Sequence, residues 1–257
     1  MLVVIDIGNT NTVIGIYKGA QLLGSWRLDS SHARTADEYW IMVKLLCGDN
    51  KLDTAEISGV IISSVVPDLT AAFLKMSQNY LSLNPVIVNY QLDLGLKLLV
   101  REPKQLGADR LCNIVAANQL YQFPLIVVDL GTATTFDVLD DAGNYIGGAI
   151  SPGLLTSSLE LIRKAAQLHE IELSYPDHII GKTTQEHLRS GLFVGHIAMI
   201  EGIVERIRQE CSPWPMQVIA TGGYSEEIAR YTRIIDVAHL NLTLEGLRLI
   251  FERNRIV

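Results

Sequence analysis

The chain opens with an apolar stretch, a short polar segment and a second apolar stretch. Residues 2–5 are uninterrupted apolar residues, which is typical of a strand that is buried on both faces. Asp6, a glycine and small polar residues follow, and the apolar pattern resumes over residues 13–17 before Lys18-Gly19 supplies a turn. The pattern predicts a strand, a polar hairpin and a second strand.

This first hairpin has the composition of an anion site. Gly8 lets another group approach the backbone closely, and the N–H groups of Gly8 to Thr12 could surround an anion. Asp6 beside such a loop needs a cation or hydrogen-bond donors to offset its charge. Phosphate in the loop and a metal near Asp6 would satisfy both requirements, whereas an ordinary polar hairpin with a capping aspartate explains the residues without any ligand.

The pattern that follows predicts an α/β layer structure. In chain order it gives strand, helix, strand, helix and strand after the opening hairpin. Asp68 stands where it can cap the second of these helices. The predicted elements are strand Gln21–Leu28, helix Ala36–Cys47, strand Ile57–Val66, a helix from Asp68 to about Leu81, and strand Pro85–Asn89.

The opening stretch recurs 123 residues later, when Asp6 is set against Asp129. At this offset Gly8 corresponds to Gly131, Thr12 to Thr135 and Gly24 to Gly147. A repeat of this length predicts two similar domains, each beginning with a strand, a polar hairpin and a strand. Two such hairpins facing each other across a cleft would hold a polyphosphate from both sides.

The remaining pattern is mostly helical. Thr183 or Thr184 is placed to cap the longest helix. After a strand, Thr221-Gly222-Gly223 forms a turn that either admits a flat or anionic ligand at a helix N-terminus or is simply tight. The predicted elements are helices to about Tyr121, Leu154–Leu168 and Gln185 to about Glu210, strand Met216–Ala220, a helix from about Glu226, and helix Leu244–Phe251.

Composition narrows the class of protein. The 257 residues are 48% hydrophobic with a mean hydropathy of +0.23, yet no apolar run approaches the roughly 20 residues that span a bilayer. A net charge of −7 and a pI of about 5.4 argue against a nucleic-acid partner. Three scattered cysteines and a first strand without a basic leader suit the cytoplasm. The six histidines lack metal-ligand spacing.

Several motifs in order resemble the type III pantothenate kinases, a family of the actin, hexokinase and acetate-kinase superfamily. The resemblance covers nearly the whole chain, and the order and spacing of the motifs are specific where any single motif would be weak. The motifs are Asp6-Ile-Gly-Asn-Thr10, Arg34-Thr-Ala-Asp-Glu38, Gly107-Ala-Asp-Arg110, Asp129-Leu-Gly-Thr-Ala-Thr-Thr135, Gly147-Gly-Ala-Ile-Ser-Pro-Gly153, Gly181-Lys-Thr-Thr184 and Ala220-Thr-Gly-Gly223.

The resemblance implies an α/β fold of two similar ribonuclease-H-like (actin/hexokinase-type) domains. Each would be a mixed sheet flanked by helices, with a cleft between the domains. We place the first domain at residues 1–110, with the first phosphate hairpin. The second domain, residues 111–257, would carry the second phosphate hairpin and the dimer interface.

The implied activity is the phosphorylation of pantothenate by ATP, the first step of coenzyme A synthesis. A monovalent cation, K⁺ or NH₄⁺, would be held by Asp129, and Mg²⁺ bound with ATP would lie near Asp6. The residues expected to bind ATP are Asp6, Ile7, Gly8, Asn9, Thr10, Asn11, Thr12, Val13 and Thr132.

Pantothenate is expected at Gly107, Ala108, Asp109, Arg110 and the position of Val100. By the resemblance, Asp109 is the general base, and Thr184 reaches the pantothenate site of the neighbouring subunit, which implies an obligate homodimer. The guanidinium of Arg110 suits the carboxylate of pantothenate. Taken alone, Asp109 and Thr184 could be helix caps and Arg110 a surface ion pair.

One position departs from the family pattern. A tyrosine commonly lies seven residues before the glycine of Gly-Ala-Asp-Arg and lines the substrate site, whereas this chain has Val100 there. Pro103 keeps its expected position, so the alignment holds around the change. Two other functions remain open: a small sugar or acetate-type kinase on the same fold, and a nucleotide-binding regulator that has lost kinase activity.

Overall fold

A computed structural model describes residues 1–30, 34–165, 171–213 and 215–255. Within them the strands are β1 (Leu2–Ile7), β2 (Asn11–Lys18), β3 (Gln21–Asp29), β4 (Gly59–Ser64), β5 (Val86–Ile87), β6 (Leu125–Leu130), β7 (Ala133–Leu139), β8 (Tyr145–Pro152), β9 (Gln217–Thr221) and β10 (Val237–Ala238). The helices are α1 (Ala36–Asp49), α2 (Pro67–Met76), α3 (Ala108–Leu120), α4 (Leu154–Lys164), α5 (Thr184–Arg189), α6 (Gly195–Glu210), α7 (Ser225–Ala229) and α8 (Leu242–Asn254).

The first unit is built on a mixed five-stranded sheet in the order β3-β2-β1-β4-β5. The central strand β1 pairs antiparallel with β2 and parallel with β4. Val3, Val4 and Ile5 are fully buried, as the uninterrupted apolar run predicts. Val3 and Ile5 pack with the apolar faces of α1 and α2. The ends of β1 and β4 therefore lie side by side at one edge of the sheet.

The second unit repeats this arrangement strand for strand. Its five-stranded sheet has the order β8-β7-β6-β9-β10, with β6 antiparallel to β7 and parallel to β9. The core around β6 is formed with Phe136, Phe193 and the apolar side of α6. The two similar domains predicted from the repeat, and the mixed sheets implied by the resemblance, are both confirmed.

The repeat is interrupted by one residue inside the hairpin. In the first unit Ile7 pairs with Thr12, and in the second its counterpart Leu130 pairs with Thr134. The second hairpin is therefore one residue shorter, and Thr12 corresponds to Thr134, so the predicted match to Thr135 is wrong. Burial supports the corrected match, because the side chains of Thr12 and Thr134 are both fully buried.

The two units are not consecutive stretches of the chain. The first comprises Met1–Lys97, Arg101–Gln119 and Leu242–Val257, and the second comprises Leu98–Val100 and Leu120–Asn241. The division differs from the predicted boundary after Arg110 because α8 returns to the first unit, where it packs on β1 and β4. Gly246 of α8 lies against the backbone of Cys112, so α3 and α8 pack together without a side chain between them.

Three predicted helices have different ends or starts. Pro67 occupies the first position of α2, so the helix begins before Asp68 and that side chain is not its cap. The predicted helix to Glu210 is divided into α5 and α6 by a π-helical turn at Ser190–Val194. The predicted end of α4 at Leu168 lies outside the described residues. Among the described helices, none combines the length and apolar character needed to span a bilayer.

Candidate active site

The first hairpin follows Asp6 directly at the end of β1. The N–H of Gly8 donates to the carbonyl of Asn11 at 3.0 Å, which closes the loop, and the carbonyl of Thr10 accepts from Ser30 at 3.0 Å. Asn9 and Thr10 are exposed at the tip. The hairpin is therefore held from both sides, while its tip stays open to a ligand.

Asp6 is oriented by the neighbouring strand. Ser63 is its partner in the parallel register of β1 and β4, and the Ser63 hydroxyl donates to Asp6 Oδ1 at 2.8 Å. Ser63 is fully buried and Asp6 is half-buried. Sequence reasoning missed Ser63, although the change from apolar to polar residues at the end of its strand is a signal for it.

Asp109 lies in the first turn of α3. Its Oδ1 accepts the N–H of Arg110 at 2.8 Å, and the N–H of Leu111 donates to the carbonyl of Gly107. Because α3 begins at Ala108, Asp109 is inside the helix and is not the residue that precedes it. A side chain at Gly107 would collide with Asp109 Oδ1, so this glycine leaves room for the carboxylate.

Asp6 and Asp109 are brought to one place in the first unit, around Cys112. This thiol is fully buried on α3. Burial raises the pKa of Cys112 well above its usual value, the negative charges of Asp6 and Asp109 raise it further, and a hydrogen bond with Ser63 lowers it. The predicted base and the predicted magnesium-side aspartate, which come from different elements, thus both act electrostatically on the same buried thiol.

In the second unit, the shorter hairpin follows Asp129 at the end of β6. The N–H of Gly131 donates to the carbonyl of Ala133 at 3.1 Å. The carbonyl of Thr132 accepts from the N–H of Gly153 at 3.1 Å and from the Thr156 hydroxyl at 2.6 Å. The start of α4 therefore fixes the backbone of Thr132, the predicted ATP contact.

The predicted glycine turn comes close to Asp129. Gly222 has a φ of +89°, which favours glycine, and a Cβ built on it would lie 2.6 Å from Asp129 Oδ1 and 2.7 Å from the backbone N of Leu130. Position 222 requires glycine because its backbone comes this close to Asp129 and Leu130. The residue before it, Thr221, pairs with Asp129 in the register of β6 and β9. The sequence named Thr221 only as the start of the turn and did not indicate this pairing.

Thr184 begins α5 on the second unit and is exposed. The cap of this helix is Thr183, whose hydroxyl accepts the N–H of Glu186 at 3.3 Å. Thr183, and not Thr184, is therefore the residue that caps α5. The exposed side chain of Thr184 remains available for another contact. Beside it lies an apolar groove of about 450 Å³ lined by Ile179, Ile180, Gly181, His187, Ser190, Gly191, Val194, Gly195 and Ala198.

The predicted residues are divided between the two units. The residues from Asp6 to Val13 and those from Gly107 to Arg110 belong to the first unit. Asp129, Thr132, Thr184 and Val100 belong to the second, where the N–H of Leu99, next to Val100, donates to the carbonyl of Tyr145 at 2.8 Å.

Solved structures with the same architecture define the class of fold. The chain is similar to a conserved Baf family transcriptional activator from Campylobacter jejuni, with a TM-score of 0.62, 19% identity and 98% of both chains covered. It is also similar to the Lmo2764 protein from Listeria monocytogenes, with a TM-score of 0.51, 11% identity and 99% of both chains covered. These likenesses show the fold: two similar α/β domains, each with a mixed five-stranded sheet flanked by helices.

The sequence comparisons then give the family. The family model described as type III pantothenate kinase matches residues 2–206. A type III pantothenate kinase from Geobacillus kaustophilus is 44% identical over 254 residues, covering 99% of this chain and 98% of that protein. The chain therefore belongs to the type III pantothenate kinase family.

Proposed function

We propose that the protein transfers the γ-phosphoryl group of ATP to the primary hydroxyl of pantothenate, the first step of coenzyme A synthesis. The observation that carries this proposal is the family match, which spans both hairpins, the Gly107–Arg110 segment and Thr184. The Gly107–Arg110 segment argues against a sugar or acetate-type kinase. Retention of Asp6, Asp109, Arg110 and Asp129 supports an active enzyme rather than a regulator that has lost its activity.

Asp109 is the general base of this proposal. The pantothenate hydroxyl is very weakly acidic, so a carboxylate has to accept its proton as the bond to phosphorus forms. The hydrogen bond from the Arg110 N–H occupies Asp109 Oδ1 and thereby orients the carboxylate. Arg110 would bind the pantothenate carboxylate by a two-pronged contact, for which a guanidinium is suited.

The first hairpin and Asp6 form the ATP side. The segment from Asp6 to Val13 would bind ATP, with phosphate oxygens at the exposed tip around Asn9 and Thr10. Thr132 would contact ATP from the second hairpin. Magnesium is usually held by one or two carboxylates together with substrate phosphates and water, which fits a half-buried Asp6 that is oriented by Ser63. The metal would neutralise charge on the transferred group.

Asp129 is proposed to hold K⁺ or NH₄⁺. A monovalent cation there would offset further negative charge without competing for the tight octahedral shell of magnesium. The fit is supported by a hard carboxylate that is half-buried, and by a glycine at position 222, where a side chain would collide with Asp129 Oδ1.

One assay separates the candidate functions. Purified protein is incubated with ATP, magnesium and pantothenate in potassium or in sodium, and ADP is followed. Pantothenate-dependent ADP formation that needs potassium is expected. An absence of such formation in potassium would overturn the proposed activity, while formation with a sugar or acetate instead would favour the related kinases.

Asp109→Asn should abolish turnover and leave the fold intact, because the amide cannot accept the proton. Glu102→Gln is the matched control, since Glu102 is an exposed residue of the preceding turn that pairs only with Lys104 at 3.5 Å among the contacts described. Near-normal turnover of the Asn variant would reduce Asp109 to a structural residue of α3.

A cytoplasmic homodimer completes the proposal. The apolar groove is supported as an interface by Ile180, which is 85% exposed, and by its position beside Thr184. Ile180→Glu should therefore yield a monomer in light scattering, whereas Ile41→Glu on α1 should stay dimeric. A wild-type protein that is a fully active monomer would contradict the proposed dimer.

The cross-subunit role of Thr184 has its own test. Mixing inactive Asp109→Asn subunits with inactive Thr184→Arg subunits should restore roughly a quarter of the activity, because half of the dimers would be hybrids with one intact site. A mixture that stays inactive after subunit exchange would place Asp109 and Thr184 in the site of the same subunit.

The free cysteines, two of them buried, support the proposed cytoplasmic location, because the cytoplasm is a reducing compartment.

A further inference from the structure

Thr221 has the same place in the second unit that Ser63 has in the first. Ser63 is the parallel partner of Asp6 on β4, and Thr221 is the parallel partner of Asp129 on β9. Register partners on neighbouring strands project to the same face of a sheet. Each sheet therefore sets a buried hydroxyl beside the aspartate that precedes its hairpin.

The two hydroxyls differ in what they bind. Ser63 donates to Asp6 Oδ1 at 2.8 Å. The Thr221 hydroxyl is buried, with the residue 1% exposed, and it has no hydrogen-bond partner among the described residues. Because a buried hydroxyl is nearly always bonded to protein, water or an ion, this one marks a place that another group fills.

The backbone next to Thr221 puts the Asp129 carboxylate at that place. The Cβ position of Gly222 is only 2.6 Å from Asp129 Oδ1, so the turn from Thr221 to Gly222 lies against the carboxylate itself. The carboxylate oxygens of Asp129 and the hydroxyl oxygen of Thr221 thus border one small region at the ends of β6 and β9.

We propose that the Thr221 hydroxyl oxygen is a second protein ligand of the monovalent cation at Asp129. The proposal rests on the cation site of the proposed function. Potassium is held in proteins by several oxygen atoms that replace its hydration shell, and a neutral hydroxyl oxygen beside one carboxylate is a ligand set of this kind. Ser63 differs from Thr221 in that its hydroxyl already has a protein partner, Asp6 Oδ1.

The test measures cation binding in the absence of both substrates. The melting temperature is followed as KCl replaces choline chloride at constant ionic strength, and the half-saturating potassium concentration is obtained from the shift. Four proteins are compared: wild type, Thr221→Val, Thr221→Ser and Asp129→Asn. Valine keeps the shape and removes the hydroxyl, whereas serine keeps the hydroxyl. Thallium located by anomalous scattering in crystals of the same proteins gives a second readout.

Wild type should show a saturable, potassium-specific shift, and Asp129→Asn should lose it. Thr221→Val should need roughly tenfold or more potassium, which is the range found when partners of bound metals are removed, while Thr221→Ser should stay near wild type. Equal potassium affinity of the valine variant and the wild type would overturn the role of Thr221 and leave the cation at Asp129 standing.

Two further outcomes are distinguishable. Absence of any potassium-specific shift in the wild type would overturn the cation site at Asp129 and this proposal with it. A thallium peak in wild-type crystals that lies near Asp129 but beyond bonding distance of the Thr221 hydroxyl would overturn this proposal alone, and would indicate that water satisfies the buried hydroxyl.

Discussion

Ser63 and Asp6 are joined by a hydrogen bond of 2.8 Å between neighbouring parallel strands. The donor is fully buried, whereas the carboxylate is half-buried at the end of its strand. The bond therefore fixes the orientation of a charged group that faces the polar end of the sheet, and it does so from a rigid element instead of from the hairpin itself.

Ser63→Ala should weaken binding of magnesium and a non-hydrolysable ATP analogue by about tenfold, because residues that orient metal-side ligands contribute in this range. Isothermal titration calorimetry measures the affinity. Ser58→Ala is the matched control, since Ser58 is an exposed serine just before the same strand and should bind the analogue as the wild type does. Unchanged affinity of the Ser63 variant would show that Asp6 needs no such orientation.

Gly153 packs against the backbone of the second hairpin. A Cβ at this position would collide with the carbonyl of Gly131 and lie 2.6 Å from that of Thr132. Gly153→Ala should therefore displace the hairpin and lower ATP affinity by about tenfold or more, measured as KM for ATP; displacement of about 1 Å at a positioned group is enough for such losses.

Gly48→Ala serves as the control for this change, because a Cβ there meets no atom within 4 Å. It should keep the wild-type KM for ATP and gain slightly in stability, since alanine favours a helix by about 1 kcal/mol over glycine. A Gly153 variant with wild-type KM would mean that the hairpin tolerates the shift.

Local patterns were sufficient for the two hairpins, because each aspartate directly follows a buried apolar strand. The same patterns did not show that Ser63 and Thr221 lie beside these aspartates. Their role depends on which strands are parallel neighbours and in which register these strands pair. Ser63 lies about 57 positions from Asp6 along the chain, and Thr221 about 92 positions from Asp129. A cross-strand partner of this kind can be assigned to its aspartate only when the sheet order is known.

Two errors have similarly specific causes. Because Thr134 and Thr135 are consecutive threonines, the repeat can be aligned with or without a one-residue deletion. Only the strand pairing distinguishes these two alignments. The return of α8 to the first unit leaves no local trace, because an amphipathic helix fits either sheet. Close packing of Gly246 on Cys112 is what selects the first.

Arg248 is a nearly buried cation that joins α8 to the first sheet. Its side chain is 9% exposed and forms ion pairs with Glu245 at 3.0 Å and Glu252 at 2.8 Å, while Tyr17 donates to Glu245 at 3.0 Å. Burial raises the pKa of Tyr17, and the charge of Glu245 raises it further, so the phenol stays a donor.

Arg248→Ala should lower the free energy of unfolding by about 3 kcal/mol, because the carboxylate of Glu245, which is mostly buried, then loses its cation. Equilibrium unfolding in urea measures the loss. Lys18→Ala removes an exposed ion pair with Glu56 and should change stability by less than about 1 kcal/mol. Similar effects of the two substitutions would contradict a structural role for the buried pair.

His196 is buried on α6 against β7. Its Nε2 lies 3.1 Å from the Thr134 hydroxyl, and the residue is 8% exposed. Burial lowers the pKa of His196 below its ordinary value of 6.5, since the charged ring would be desolvated. The folded protein therefore holds this ring neutral at pH values where the unfolded chain already binds a proton.

The stability provided by the neutral ring is complete above pH 6.5 and is lost as the pH falls toward the lowered pKa of the folded state. Within that window it declines by up to about 1.4 kcal/mol per pH unit. His196→Gln keeps a partner for Thr134 and removes the titration, so its urea unfolding should lose less stability between pH 7 and 5. Equal slopes in the wild type and the variant would exclude His196 as the titrating group.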